Sequence, residues 1–320
     1  MNSKNDAFIY AQDIINKRKA NDYARFDEHC KFLARKYPEA MVVFEELRAT
    51  QNRLLSAVFS NKEDLPKIKY QYEQLSDKLK SMLVGNNFDA DYLDVKYTCD
   101  KCCDTGIYEG RNCECLISLM NEYNFKSLCN TSKIGEYTFN NFSLKYYPEA
   151  ENEMGVSPKR KMSEILDYCK DYAETFSNKS RSVLMFGKTG LGKTHLSMAI
   201  ATAVVKKGFF VVYGSAQNLL REAEKEYFSG GDSTINTLIN CDLLILDDLG
   251  TEFDSKFNTS QIYNIINTRL EFLRPTIINT NLSGKELQER YAPRVVSRLI
   301  GEYDCLNFLG NDIRQLKNKE

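Results

Sequence analysis

The chain has 320 residues, 42% of them hydrophobic and 27% charged, enough to bury one core of ordinary size and a smaller accessory domain, so two or three domains are expected. Its 43 basic and 44 acidic side chains cancel to a formal charge of −1, which excludes a bulk positive field and leaves only local patches for any nucleic-acid contact. The opening Met-Asn-Ser-Lys-Asn-Asp carries no apolar signal core and the longest apolar runs are short, so a cytoplasmic protein with no membrane contact is expected.

Residues 1–96 read as an N-terminal helical region. Tyr23, Phe26, Cys30, Leu33 and Tyr37 recur at three- and four-residue steps, and Ile68, Tyr72, Leu75 and Leu79 repeat the pattern. Pro38 and Pro66 interrupt it, which predicts about three helices between residues 8 and 84. The stripe serves either as their shared core or as a partner surface.

Residues 97–130 read as a zinc module and linker. Five of the ten cysteines fall between Cys99 and Cys115. In a cytoplasmic chain such clustering points to metal, because thiols there stay reduced. Cys99, Cys102, Cys113 and Cys115 are the expected zinc ligands, with Cys103 a bystander. Gly106 and Gly110 let the connection fold back, and four thiolates leave no open position for substrate, so the zinc is structural. The isolated Cys30, Cys129, Cys169, Cys241 and Cys305 read as small core residues. Further on, Tyr137-Thr138-Phe139-Asn140-Asn141-Phe142 stands out as aromatic, either flanking an adenine ring or packing against the next helix.

Residues 131–320 carry the strongest signal. The apolar strand Ser182–Phe186 runs into Gly187-Lys188-Thr189-Gly190-Leu191-Gly192-Lys193-Thr194 and then into a helix-forming stretch, a P-loop in its strand–loop–helix context. Its glycines allow backbone amides to converge on triphosphate oxygens at a helix N-terminus. Lys193 would neutralise the β- and γ-phosphates, and the Thr194 hydroxyl suits the octahedral shell of Mg2+. A second strand, Leu243–Leu246, ends in Asp247 and Asp248. Asp247 would hold the magnesium, and Asp248 would polarise or orient the attacking water. Strands over Phe209–Tyr213 and Thr276–Asn279, alternating with helices, predict an α/β parallel sheet covered on both faces. Asn281 would then emerge beside the γ-phosphate, with Asn279 competing for that role.

The stretches from Phe186 to His195, Leu244 to Glu252, Thr280-Asn281-Leu282 and Arg294-Val295-Val296-Ser297-Arg298 resemble the DnaC/DnaI helicase loaders and their IstB-type transposition relatives. The resemblance covers residues 135–320, and the cysteine-rich segment resembles the zinc-bearing region of DnaI-type loaders. It implies a RecA-like AAA+ P-loop core that binds ATP, with the nucleotide stretch extending to His195. It further implies a neighbouring subunit completing the site: Arg298 matches the arginine finger, with Arg294 second, and Arg314 resembles sensor 2. The implied function is a weak ATPase, stimulated by DNA or partner, that forms a homo-oligomer with ATP, binds single-stranded DNA and delivers a hexameric replicative helicase. Lys206, Lys207 and Lys256 could line a DNA groove or be solvated surface charge. A transposase helper, a small-molecule kinase and a non-hydrolysing adaptor are the alternative readings.

Overall fold

The computed structural model describes residues 3–60, 65–128, 137–153 and 155–317. Cys129 lies outside them. The chain divides into two compact units, Gln12–Cys113 on the one hand and Met1–Ala11 with Glu114–Glu320 on the other.

The first unit is helical. Helix α1 spans Ser3–Lys36, α2 Pro38–Ser60 and α3 Leu65–Gly85. Pro38 opens α2, where its missing N–H costs nothing and its fixed φ suits the first turn. Leu33, Ala40, Val43, Phe44, Leu79, Leu83 and Leu93 form the core, with Phe26, Cys30, Tyr37 and Leu75 packed against it. Most of the periodic stripe is therefore core, while Tyr23 stays exposed and its hydroxyl meets that of Tyr97 at 3.5 Å. Beyond α3, β1 (Ile107–Tyr108) and β2 (Arg111–Asn112) make a two-residue antiparallel hairpin.

The second unit is the expected α/β core. After α4 (Glu114–Leu128) and α5 (Pro158–Thr175) come β3 (Ser182–Phe186), α6 (Lys193–Lys206), β4 (Val211–Ser215), α7 (Ala216–Phe228) and α8 (Ser233–Asn240). There follow β5 (Leu243–Leu249), α9 (Lys256–Glu271), β6 (Thr276–Thr280), α10 (Gly284–Arg290), α11 (Pro293–Gly301), β7 (Tyr303–Asn307) and α12 (Ile313–Lys317). The sheet order is β4-β5-β6-β3-β7, and every pairing is parallel.

Strand residues alternate between two cores, as a period of two requires. Val183, Met185, Val211, Ile245 and Ile277 face α5 and α6. Leu184, Val212, Leu244, Leu246 and Ile278 face the layer of α7, α8, α9 and α11. A parallel sheet buried on both faces places ligands at the carboxyl ends of its strands. Here the ends of β3, β5 and β6 lie side by side.

One expectation is corrected and one alternative is removed. Cys169 and Cys241 are fully buried and Cys30 packs in the helical core, but Cys305 is exposed, because β7 is an edge strand with β3 as its one neighbour. Lys206 ends α6 and Lys207 follows it, whereas Lys256 begins α9. Since α6 leaves the carboxyl end of β3 and runs back toward the start of β4, while α9 starts near the carboxyl end of β5, these lysines sit at opposite ends of the sheet and do not line one groove.

One feature has no sequence signal. Arg269 is fully buried without a carboxylate partner among the described residues. Its guanidinium donates to the carbonyls of Leu238, Ile239 and Cys241 at 2.9 Å each, to the Pro275 carbonyl at 2.6 Å and to Thr276 Oγ1 at 2.9 Å. The planar fork of donors pins the end of α8 to the starts of β5 and β6.

Candidate nucleotide and metal sites

The turn after β3 can take its shape only with glycines. Gly192 has φ +88°, and a Cβ there would lie 2.8 Å from the Phe142 ring. A Cβ on Gly190 (φ +79°) would lie 2.0 Å from Asp312 Oδ1. From one side Tyr147 donates its hydroxyl to the Leu191 carbonyl at 2.9 Å; from the other the Ile313 amide donates to the Gly190 carbonyl at 3.0 Å. The loop is thus held between an upstream aromatic segment and the C-terminal segment.

A cavity of about 380 Å³ opens over this loop. Thr189 to His195, Asp248, Thr251, Asn281 and Arg314 line it, with Tyr137, Asn141, Phe142, Ser143 and Tyr146 at one side. Of the aromatic segment, Phe142 is buried against the loop and Tyr137 lies on the cavity wall, with Tyr146 beyond the segment beside it. His195 packs edge-on to Tyr137 and Phe142, centroids 5.2 Å away, with Nε2 2.8 Å from the Thr138 carbonyl.

Lys193 is buried, and its Nζ donates to the carbonyls of Gly187 (2.7 Å) and Lys188 (2.8 Å) and to Asn281 Oδ1 (2.8 Å). All three ammonium donors are therefore spent on protein acceptors. Burial pulls its pKa down to about 8, against the opposing pull of Asp248 and Asp247. Asn281 Nδ2 donates to Asp248 Oδ1 at 3.2 Å, so one amide bridges the lysine and the second aspartate.

Asp247 and Asp248 end up in different surroundings. The pairing of β5 with β6 slips between Leu246 and Leu249, and Asp248 takes a left-handed φ of +52°. Such an irregularity re-aims side chains, and here it turns Asp248 into the cavity. Burial, and secondarily the neighbouring Asp247, raise the pKa of Asp248. Asp247 is buried: it accepts from Thr194 Oγ1 at 3.0 and 3.2 Å, from Tyr213 OH at 2.5 Å and from Asn279 Nδ2 at 2.7 Å. The two asparagines separate accordingly, with Asn281 on the cavity and Asn279 fully buried beneath it, also bonded to Ser197 Oγ at 2.8 Å. A hydroxyl and a carboxylate, both hard oxygen donors, fit magnesium, and Thr194 and Asp247 are the pair that would hold it.

The two arginines are placed differently. Arg314, at the start of α12, lines the cavity and acts electrostatically on Lys193 and Asp248. Arg298 does not reach this cavity within its own chain. It lies on α11 with its guanidinium 5.4 Å from the Tyr263 ring centroid, donates to the Arg294 carbonyl at 3.3 Å, and borders a separate cleft with Lys179 and Arg274. Tyr213 is the residue that motif reading missed: it stood inside an expected strand, and nothing in the sequence tied it to Asp247.

In the cysteine segment, the sulfurs of Cys99, Cys102, Cys113 and Cys115 lie within 4.8 Å of one another, with Cys99 and Cys113 at 3.8 Å. A tetrahedron of thiolates about 2.3 Å from zinc has edges of about 3.8 Å, so the donor set fits that ion. Cys103 and Asp104 both take left-handed backbone (φ +49° and +50°), which carries the chain round after Cys102. Cys103 itself is exposed and turns its sulfur toward the Asp100 carbonyl, outside the cluster.

The replicative helicase loader DnaC of Escherichia coli K12 is 28% identical over 157 residues, 48% of this chain and 60% of that protein. DnaC of Buchnera aphidicola subsp. Baizongia pistaciae is 30% identical over 135 residues, 41% of this chain and 54% of that protein. The chain thus spans little more than half the length of these relatives. A crystal structure of the DnaC helicase loader superposes with a TM-score of 0.48 at 24% identity, over 56% of this chain and 100% of that one. Among the described residues, no helix is long and apolar enough to cross a membrane. The family model for IstB-like ATP binding proteins matches residues 159–318, half of the chain and the stretch that supplies Thr189 to His195, Asp248, Asn281 and Arg314 to the cavity, and the chain belongs to that family.

Proposed function

We propose that this protein is an ATP-dependent loader of a hexameric replicative helicase, working as a weak AAA+ ATPase that binds single-stranded DNA. The observation that carries the reading is the convergence of Lys193, Asp248 and Asn281 in one cavity, linked by bonds of 2.8 and 3.2 Å. In the proposed cycle the triphosphate takes over the Lys193 ammonium from its protein acceptors. That releases the Asn281 amide to orient water, and Asp248, its basicity raised by burial, accepts the proton. Thr194 and Asp247 hold magnesium, which neutralises charge on the phosphates. Arg314 completes the pocket within the chain, and Arg298 reaches the nucleotide of a neighbouring copy in an ATP-ordered homo-oligomer.

Single-stranded DNA calls for stacking platforms beside cations. Tyr227 and Phe228 at the end of α7 are 59% and 78% exposed, and the Tyr227 ring lies 5.8 Å from Phe228 and 5.4 Å from Phe257. Lys256 adjoins Phe257 in the chain. This aromatic cluster supports a DNA contact better than a groove shared by Lys206, Lys207 and Lys256. The N-terminal helices and the zinc module formed by Cys99, Cys102, Cys113 and Cys115 are the proposed grip on the helicase.

Purified protein mixed with ATP, magnesium and the resident hexameric helicase is expected to form a complex and to deliver helicase onto closed circular single-stranded DNA. No complex and no delivery, in material that takes up nucleotide, would overturn the loader reading. The IstB-like family match favours a second reading, an ATPase helper of a transposase. That reading would gain support from ATP-dependent capture of a transposase under conditions where the helicase is ignored.

A further inference from the structure

We propose that Tyr213 is a positioning residue for the Asp247 carboxylate, setting how tightly the nucleotide site takes up magnesium; the inference rests on the nucleotide reading above. Register makes the contact possible. Ser215 of β4 pairs with Asp247 of β5, and Tyr213 pairs with Ile245. Tyr213 therefore shares a face with Asp247 and lies one diagonal step away, a separation of about 7–8 Å that long side chains can bridge. A phenol is long enough, and its hydroxyl reaches Asp247 Oδ2 at 2.5 Å.

From the other flanking strand, Asn279 of β6 donates to Asp247 Oδ1 at 2.7 Å. Oδ2 thus receives its bond from the β4 side and Oδ1 from the β6 side, and the two flanking strands together set the plane of the group. The Asp248 amide also donates to Oδ1 at 3.2 Å, and the Thr194 hydroxyl lies 3.0 Å from Oδ2 and 3.2 Å from Oδ1. A cation entering beside Thr194 meets a carboxylate already oriented for it. Partners that orient a ligand in this way contribute about 10–100-fold to metal affinity. Both Tyr213 and Asn279 are buried among sheet and helix, so neither touches the nucleotide cavity directly.

The test is a magnesium titration of the full chain with a non-hydrolysable ATP analogue, followed by binding and not by turnover. Tyr213→Phe retains the ring and withdraws only the hydroxyl. It is expected to raise the magnesium concentration at half-saturation about tenfold while leaving analogue affinity in excess chelator and the thermal melting point at their wild-type values. Asn279→Ala, removing the opposite donor, is expected to shift the midpoint in the same direction. An unchanged midpoint in Tyr213→Phe, or an equal loss of analogue binding with and without magnesium, overturns the proposal and leaves the nucleotide site standing. No analogue uptake by the wild-type protein overturns both.

Discussion

The nucleotide cavity and the cysteine cluster are built on opposite plans. The cavity gathers Lys193, Asp248, Asn281 and Arg314 from four separate stretches, and they meet because a buried sheet aligns the ends of β3, β5 and β6. Lys193 and Asp248 are already bonded to neutral protein groups. The cysteine cluster draws four sulfurs from seventeen consecutive residues around a two-residue hairpin, with little apolar material of its own. A core organises the first; a metal ion held by the four thiolates would organise the second, its binding energy then being folding energy.

Metal removal should test that contrast most severely. Structural zinc contributes on the order of 10–16 kcal/mol of apparent binding free energy in small modules. A chelator, or Cys102→Ser, should therefore abolish protection of the amides of residues 98–113 in hydrogen exchange, while strands β3 to β6 keep theirs. Equal loss in both would erase the distinction.

Within the cavity, Lys193→Ala should abolish nucleotide binding measured by calorimetry. Asp248→Asn should keep binding and lower the hydrolysis rate by about 10²–10⁴-fold, the usual worth of a positioned base. Retained hydrolysis in Asp248→Asn would remove Asp248 from the mechanism, and a protein that works without hydrolysing ATP would be an adaptor.

A smaller effect follows from pre-satisfaction. Because burial draws Lys193 down to about 8, nucleotide affinity should fall above that pH, by up to about tenfold per unit, as the ammonium is lost. Nucleotide-free stability should move the other way. The unfolded chain keeps that proton to about 10.5, so between these values it binds more protons than the folded state and stability rises with pH; below 8 the cost is constant. Proton uptake on nucleotide binding, measured in buffers of differing ionisation enthalpy, checks the shift, and its absence near pH 8 would remove it.

How much was legible varied with how local the signal was. Gly187 to Thr194 and the strand leading to Asp247 announce themselves because phosphate binding needs contiguous glycines and an apolar strand, and the expected strand Ser182–Phe186 matches β3 end for end. The helical stripe of residues 23–79 was equally readable. By contrast β7 escaped notice, since Tyr303–Asn307 is short, mixes polar and apolar residues on both faces and is placed by pairing with β3. Cys305 was misread for the same reason: the sequence does not say that its strand is an edge. Lys206, Lys207 and Lys256 looked alike as charges, and only helix direction separated them.

The amino-acid order alone determined the presence of a phosphate-cradling loop, an acidic strand tip, four clustered thiols and an apolar helical stripe, because each depends on neighbours within a few turns of chain. Tertiary structure decided which of two asparagines meets Lys193, that Asp248 rather than Asp247 faces the cavity, that Arg269 pins three elements and that Tyr213 touches Asp247. Those outcomes turn on strand register and a single slip in pairing, where one residue of offset moves a side chain to the opposite face, and no local pattern encodes that offset.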